Sequence, residues 1–228
     1  MCGRYASNTP PDLMRQIFRT SNVLPNIPAR YNIAPTQDVP VIRRNPESGE
    51  HSLDLLRWGL IPHWANDTGI GAMLINARAE GLTERPAFRE AFRRRRCLVP
   101  ATAFYEWRRG TKPKQPFAVR RRDGRPLAFA GLWENWKTPE GQWLRSFTII
   151  TVPANELLAL LHERMPAILE EADYALWLGD QPAEPEQLLA LLRPFPAELL
   201  ETYPVSPAVN SVRTDDSSLL DRAGPSGG

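Results

Sequence analysis

The chain has 228 residues, enough for one large domain or two small ones, and a single domain is the expectation. No run approaches the roughly 18 apolar residues of a membrane span. Arg4, Arg15, Arg19 and Arg30 interrupt the first thirty residues, which argues against a secretory leader and for a soluble, cytoplasmic protein. Two cysteines exclude a disulfide framework, and they share no zinc-type spacing with His51, His63 or His162, so neither a metal nor a cofactor is expected. The net charge of +2 conceals an asymmetry: residues 1–125 hold 22 Lys or Arg against 11 Asp or Glu, and residues 126–228 hold 6 against 15. Arginine outnumbers lysine 25 to 3, a bias that suits bidentate phosphate contacts and equally fits a GC-rich genome.

In chain order, "PPDLMRQIFRT" at 10–20 predicts a short amphipathic helix with Leu13, Ile17 and Phe18 on one face. "VPVIRR" near residue 40 and "SLDLLRWGLIP" from 52 read as strands, the second running into an aromatic loop at Trp58, Pro62 and Trp64. Two strand-like runs flank Asp123-Gly124 and predict a hairpin, because both turn positions favour positive φ. "SFTIITVPAN" at 146–155 is a further buried strand. From an Asn155 cap, Leu158, Leu161 and Met165 fall at helical spacing, and two more short helices are expected near 170–178 and 185–193. "LETYPVSPAVNSV" returns to extended chain, and residues 213–228 read as a disordered tail after a domain spanning 2–212. Strands interspersed with helices, without βαβ alternation, indicate an α+β domain around a mostly antiparallel sheet or partial barrel.

Chemistry-bearing residues interrupt apolar surroundings in "MCGRY", "LINARAE", "AFYEW" and "HERMP". Each has an ordinary structural reading. Asn76 closes a turn or must find partners for a buried amide; Glu106 faces solvent from a strand or, between Tyr105 and Trp107, has a raised pKa suited to proton transfer. His162 caps helix carbonyls or shuttles a proton near its ordinary pKa of about 6.5. The "RRRR" at 93–96 fits a solvated charged face, and Cys97 fits a core.

Seven segments together are similar to the SRAP family, the SOS response-associated peptidases or abasic-site-processing proteins: MCGR, YNIAPTQ at 31–37, WGLIPHW at 58–64, NARAE at 76–80, FYEW at 104–107, HERMP at 162–166 and PVSPAVN at 204–210. The resemblance implies an abasic-site-processing protein that binds single-stranded DNA and shields the lesion through a covalent crosslink to Cys2 once Met1 is gone. It implies catalytic roles for Cys2, Asn76, Glu106 and His162. DNA contacts would come from Arg4, Arg78, Arg164, Trp64, Asn32, Pro35 and Thr151. The expected partners are abasic single strands, including those at replication forks or junctions, with no membrane partner and the chain acting as a monomer. The family name also implies autoproteolytic removal of Met1, which a housekeeping aminopeptidase would serve as well. Two rival readings stand beside it. Met-Cys-Gly also opens glutamine amidotransferases of the N-terminal-nucleophile class, and a noncovalent single-strand binding module would leave Cys2 incidental.

Overall fold

The computed structural model describes residues 2–22, 26–110 and 114–224; Met1 and the last four residues of the expected tail lie outside them. The described residues carry twelve strands: β1 Tyr5–Ser7, β2 Arg30–Ile33, β3 Asp38–Arg44, β4 His51–Trp58, β5 Asn76–Arg78, β6 Arg96–Ala101, β7 Ala103–Trp107, β8 Pro116–Arg121, β9 Leu127–Lys137, β10 Trp143–Pro153, β11 Arg164–Pro166 and β12 Leu200–Pro204. Five helices join them: α1 Pro11–Phe18, α2 Arg89–Arg94, α3 Glu156–Ala159, α4 Tyr174–Leu178 and α5 Pro185–Leu191. This is the expected α+β domain, mostly antiparallel, with short flanking helices.

The strands form two layers. One is a five-stranded sheet in the order β12-β8-β7-β1-β2. In the other, β10-β4-β3-β6-β9 closes on itself because β9 also pairs with β10 from Trp143↔Lys137 to Ile149↔Gly131, giving a small barrel. Beyond Ile149, β10 changes neighbours. Its two edges there take β5 in parallel, with Thr151 opposite Arg78, and β11 in antiparallel, with Thr151 opposite Pro166. The aromatic core spans both layers, since Tyr5 of the first sheet meets Trp58 and Phe129 of the barrel edge-on at 5.2 and 6.0 Å.

Several sequence expectations change here. Helix α1 buries Met14 and Phe18 while Leu13 is exposed, so its inner stripe lies one position away from the expected one. Asp123-Gly124 makes a turn with Gly124 at φ +74°, yet β8 and β9 do not pair: β8 lies between β7 and β12, and β9 between β6 and β10. The turn passes the chain from one layer to the other. Asn155 caps α3 by accepting from the Leu158 N–H at 2.9 Å, as expected, but the helix stops at Ala159. Met165 is buried from a strand, because pairing with β10 outweighs the local helical spacing.

The expected tail is also packed as far as Gly224. Leu219 is fully buried, and the Asp215 carboxylate accepts the backbone N–H groups of Tyr31 and Asn32 at 2.6 and 2.9 Å and pairs with Arg30. Its polar composition misleads because it serves as a strap whose carboxylate and carbonyls meet buried donors.

The loop after β4 is fixed by a crossing of two glycine backbones. Gly59 has φ +120°, and a Cβ there would lie 2.5 Å from the Gly71 carbonyl oxygen. Gly59→Ala is expected to cost about 2–3 kcal/mol through strain and overpacking, lowering Tm by roughly 4–12 °C in a thermal melt.

Candidate active site at the amino terminus

The position of Cys2 follows from strand register. β1 runs antiparallel to β7 with Tyr5 opposite Phe104, and the Tyr105 N–H donates to the Arg4 carbonyl at 3.0 Å. Extending that register brings residues 2 and 3 alongside Glu106 and Trp107. Alternation along β7 then puts Glu106 on the face of Phe104, toward the main core, while Tyr105 joins the smaller core cluster. A carboxylate is thereby buried beside the start of the chain, at 3% exposure.

Asn76 arrives from the other layer. The Ile75 carbonyl accepts from the Trp58 indole N–H at 2.9 Å and from the Ile149 N–H at 3.1 Å, which fixes the chain just before Asn76. Its Nδ2 then donates to the Cys2 carbonyl at 2.9 Å, while its Oδ1 is buried with no hydrogen-bond partner among the described residues. Asn76 is therefore no turn closer; it joins β5 to the amino terminus.

His162 follows α3, where its N–H donates to the Leu158 carbonyl at 2.8 Å. Its Nδ1 accepts from the Arg164 backbone N–H at 2.9 Å. The same Nδ1 lies 3.3 Å from the Arg164 carbonyl oxygen, so one residue holds this edge of the ring from both its backbone groups.

The electrostatics tie these groups together. Burial pushes the Cys2 thiol well above its ordinary range, and the Glu106 charge pushes it further, against the amino-terminal charge and the Arg4 N–H. Burial raises the Glu106 carboxyl, with the amino-terminal charge holding it down. Burial lowers His162, and the amino-terminal charge and Arg109 lower it again. The coupling within the site is between Cys2 and Glu106, whose charge raises the thiol across a separation of more than a hundred residues in the sequence.

The expected DNA-contact residues divide into two groups. Arg78 is exposed, Trp64 is 50% exposed, and Pro35 is partly exposed in a turn whose next residue, Thr36, has φ +72°. Arg78 lines a cleft of about 410 Å³ with Glu80, Gly81, Glu84, Arg85 and Arg164. Asn32, in contrast, is fully buried: its amide donates to the carbonyls of Ser211 and Thr214 at 2.9 and 2.6 Å and accepts from Arg4 at 2.7 Å. Thr151 is likewise enclosed, 3.4 Å from the Ala77 carbonyl. Both side chains are buried and bonded inside the fold, unlike those of Arg78 and Trp64.

Arg4 and Arg164 are mostly committed too. Arg4 also donates to the Val209 carbonyl at 2.6 Å, and Arg164 forks onto Glu80 at 2.6 and 2.9 Å while donating to the Thr151 carbonyl at 2.5 Å. Sequence reasoning passed over Glu80, although it lies in NARAE; it links that segment to HERMP. It also passed over Arg109, which pairs with Glu163 at 3.5 Å and acts on both Glu106 and His162. An arginine two residues past FYEW was the available signal.

This combination of fold and site defines a protein with a buried cysteine at position 2, its carbonyl held by an amide and its thiol acted on by a buried carboxyl. The chain belongs to the SOS response associated peptidase (SRAP) family, whose model matches residues 1–212. It is 41% identical over 224 residues to the abasic site processing protein YoqW of Bacillus subtilis, covering 97% of this chain and 99% of that one. It is also 31% identical to the abasic site processing protein HMCES of Xenopus tropicalis, over 96% of this chain and 78% of that one. A solved structure of a protein from Bacteroides thetaiotaomicron matches with a TM-score of 0.87 at 26% identity, covering 97% of this chain and 100% of that one.

Proposed function

We propose that this chain processes abasic sites in single-stranded DNA as part of the DNA damage response, by joining Cys2 covalently to the ring-opened sugar after Met1 is removed by itself or by an aminopeptidase. The observation that carries this reading is the Asn76 amide bonded to the Cys2 carbonyl, with buried Glu106 acting on the Cys2 thiol. The relatives' name, abasic site processing protein, supplies the substrate.

The raised thiol sets the order of events. A protonated, buried sulfur is a poor first nucleophile, whereas an α-amine with a pKa of about 7.7–8.0 is substantially neutral near pH 7.5. The amine therefore attacks the aldehyde carbon first, and loss of one water leaves an imine. The thiol then adds across the C=N bond: sulfur bonds to carbon and the thiol proton passes to nitrogen, closing a five-membered thiazolidine. Both nucleophiles belong to one residue, so closure has the advantage of an intramolecular reaction.

Glu106 takes the proton from the α-amine, and Asn76 holds the Cys2 backbone so that the amine faces the sugar. His162 donates a proton to the ring oxygen as the sugar opens. The same groups operate in reverse, which permits slow release. Arg78, Trp64 and Pro35 face the strand, while Arg4 and Arg164 contribute fixed positive charge.

The test is the mass of the denatured product after mixing with abasic and intact single strands. The expected adduct has the sum of the masses of protein lacking Met1 and strand, less one water, and forms only with the abasic strand. A product of equal yield with intact strands, or none that survives denaturation, rejects the proposal; the latter result with equal binding to both strands is the noncovalent module.

A further inference from the structure

The arginine run 93–96 has no part in the amino-terminal site. Two of the four are spent in the fold: Arg95 pairs with buried Glu134 at 2.9 Å, and Arg96 donates to the carbonyls of Trp177, Phe92 and Arg93 at 2.5–2.8 Å. Arg93 and Arg94 are exposed at the end of α2, with only a 3.8 Å approach from Glu90 to Arg93. They line a cavity of about 440 Å³ with Arg44, Arg95, Arg96, Trp133 and Asn135, and no carboxylate lines it.

The adjoining sheet continues this chemistry. Directly opposed residues of an antiparallel pair project from the same face, and β9 pairs Trp133 with Phe147, Asn135 with Arg145 and Lys137 with Trp143. Arg145 and Trp143 are therefore on the face that holds Trp133 and Asn135. Trp143 is 65% exposed, with the Lys137 ammonium 5.7 Å from its ring centroid. Glu134 alternates to the opposite face. The acids near this face are Glu90, Asp180 at 3.8 Å from Arg44, Glu140 in the turn between β9 and β10, and Asp54, which pairs at 2.7 Å with Arg43, the guanidinium over the Trp133 ring. With Asp54 taken up by Arg43 and Asp180 by His51 and Arg44, the exposed cations Arg93, Arg94, Lys137 and Arg145 outnumber the remaining Glu90 and Glu140 on a face that carries an exposed indole, the combination that tracks a phosphate backbone and stacks a base.

We propose that this face, formed by Arg44, Arg93, Arg94, Lys137, Arg145 and Trp143, is a second contact for single-stranded nucleic acid, holding strand that extends beyond the lesion. The choice of nucleic acid rests on the function proposed above. Arg145 lies four residues from Ile149, the partner of Asn76, or about 13 Å along β10. A strand reaching both places must continue for at least about two nucleotides past the abasic position, at roughly 6 Å per extended nucleotide.

The probe is an intact, fluorescently labelled oligothymidine of about 20 nucleotides, titrated at several salt concentrations. In the Arg93→Glu, Arg94→Glu double variant Kd is expected to rise about tenfold and the magnitude of the log–log salt slope to fall by about 1.4, for two phosphate contacts. Trp143→Ala should weaken binding about fivefold or more. All three side chains are exposed, and an unchanged Tm reports an intact fold. A polyglutamate peptide of matched charge should compete poorly, since it has no bases to stack.

An unchanged salt slope in the double variant overturns the inference, and so does polyglutamate competing as well as the strand. Because the probe carries no lesion, either result leaves the Cys2 chemistry standing. Conversely, loss of crosslinking with these shifts retained would count against Cys2 alone.

Discussion

Replacing Cys2 with Ala is expected to abolish the DNA adduct that survives heating, while noncovalent binding to the strand persists. In variant protein prepared without Met1 the α-amine of residue 2 remains, so condensation with the aldehyde still occurs and stops at a hydrolysable imine. Without the neighbouring sulfur the product loses its ring, and the heat-stable yield should fall roughly hundredfold or more. Reduction with borohydride distinguishes this from a folding defect: it traps the imine and restores a covalent species in Cys2→Ala. A heat-stable adduct of wild-type yield in the unreduced variant would show that sulfur takes no part. Failure of borohydride to restore any adduct would count against the amine.

Glu106→Gln should slow adduct formation about 10²–10⁴-fold, the range for loss of a positioned base. The same substitution is expected to raise stability at neutral pH. Burial lifts the Glu106 pKa, so the folded state holds the proton more tightly than the unfolded chain does. The associated stability is fully present below the unfolded value of about 4.3 and is lost as pH rises through the folded value. Glutamine has no charge to bury and escapes that loss. Thermal melts at pH 4 and pH 7.5 check the sign: the variant should exceed the wild-type chain in Tm at pH 7.5, with the difference shrinking at pH 4. Single-turnover rates across the same range report the catalytic half. A variant as fast as wild type at pH 7.5 would remove Glu106 from the reaction.

Much of this architecture was legible locally. The strands around residues 40, 52 and 146 show β-rich runs, the Asn155 cap has its side-chain acceptor, and the small helices after 170 keep their periodicity. What the local pattern hides is pairing at a distance. Asp123-Gly124 has the composition of a hairpin turn, but nothing within twenty residues reveals that β8 finds β7 and β12 while β9 finds β6 and β10. Arg164 and Met165 continue a helical spacing and still become strand, because the open edge of β10 beyond Ile149 offers backbone partners. Cys2, Asn76, Glu106 and His162 could be picked out as chemically unusual, whereas the meeting of the first three depends on the register of β1 against β7 and of β5 against β10.

The arginines show the same limit from another side. Composition marks all of them as candidates for phosphate. Only the fold separates Arg164, locked onto Glu80, from exposed Arg78 two positions before that glutamate. Asn32 illustrates the cost of reading a polar residue as a surface group. Its amide is surrounded by carbonyls of the closing strap, and it supports the strand that carries Cys2's neighbours.

The Asp215 carboxylate has a role beyond holding that strap. Strand β2 ends its sheet, and an unguarded boundary of that kind invites another molecule to lengthen the sheet by intermolecular pairing. By accepting from Tyr31 and Asn32, Asp215 occupies donors that an incoming chain would need. A lone carboxylate therefore takes the place that the backbone of a further strand would fill at the margin of the sheet.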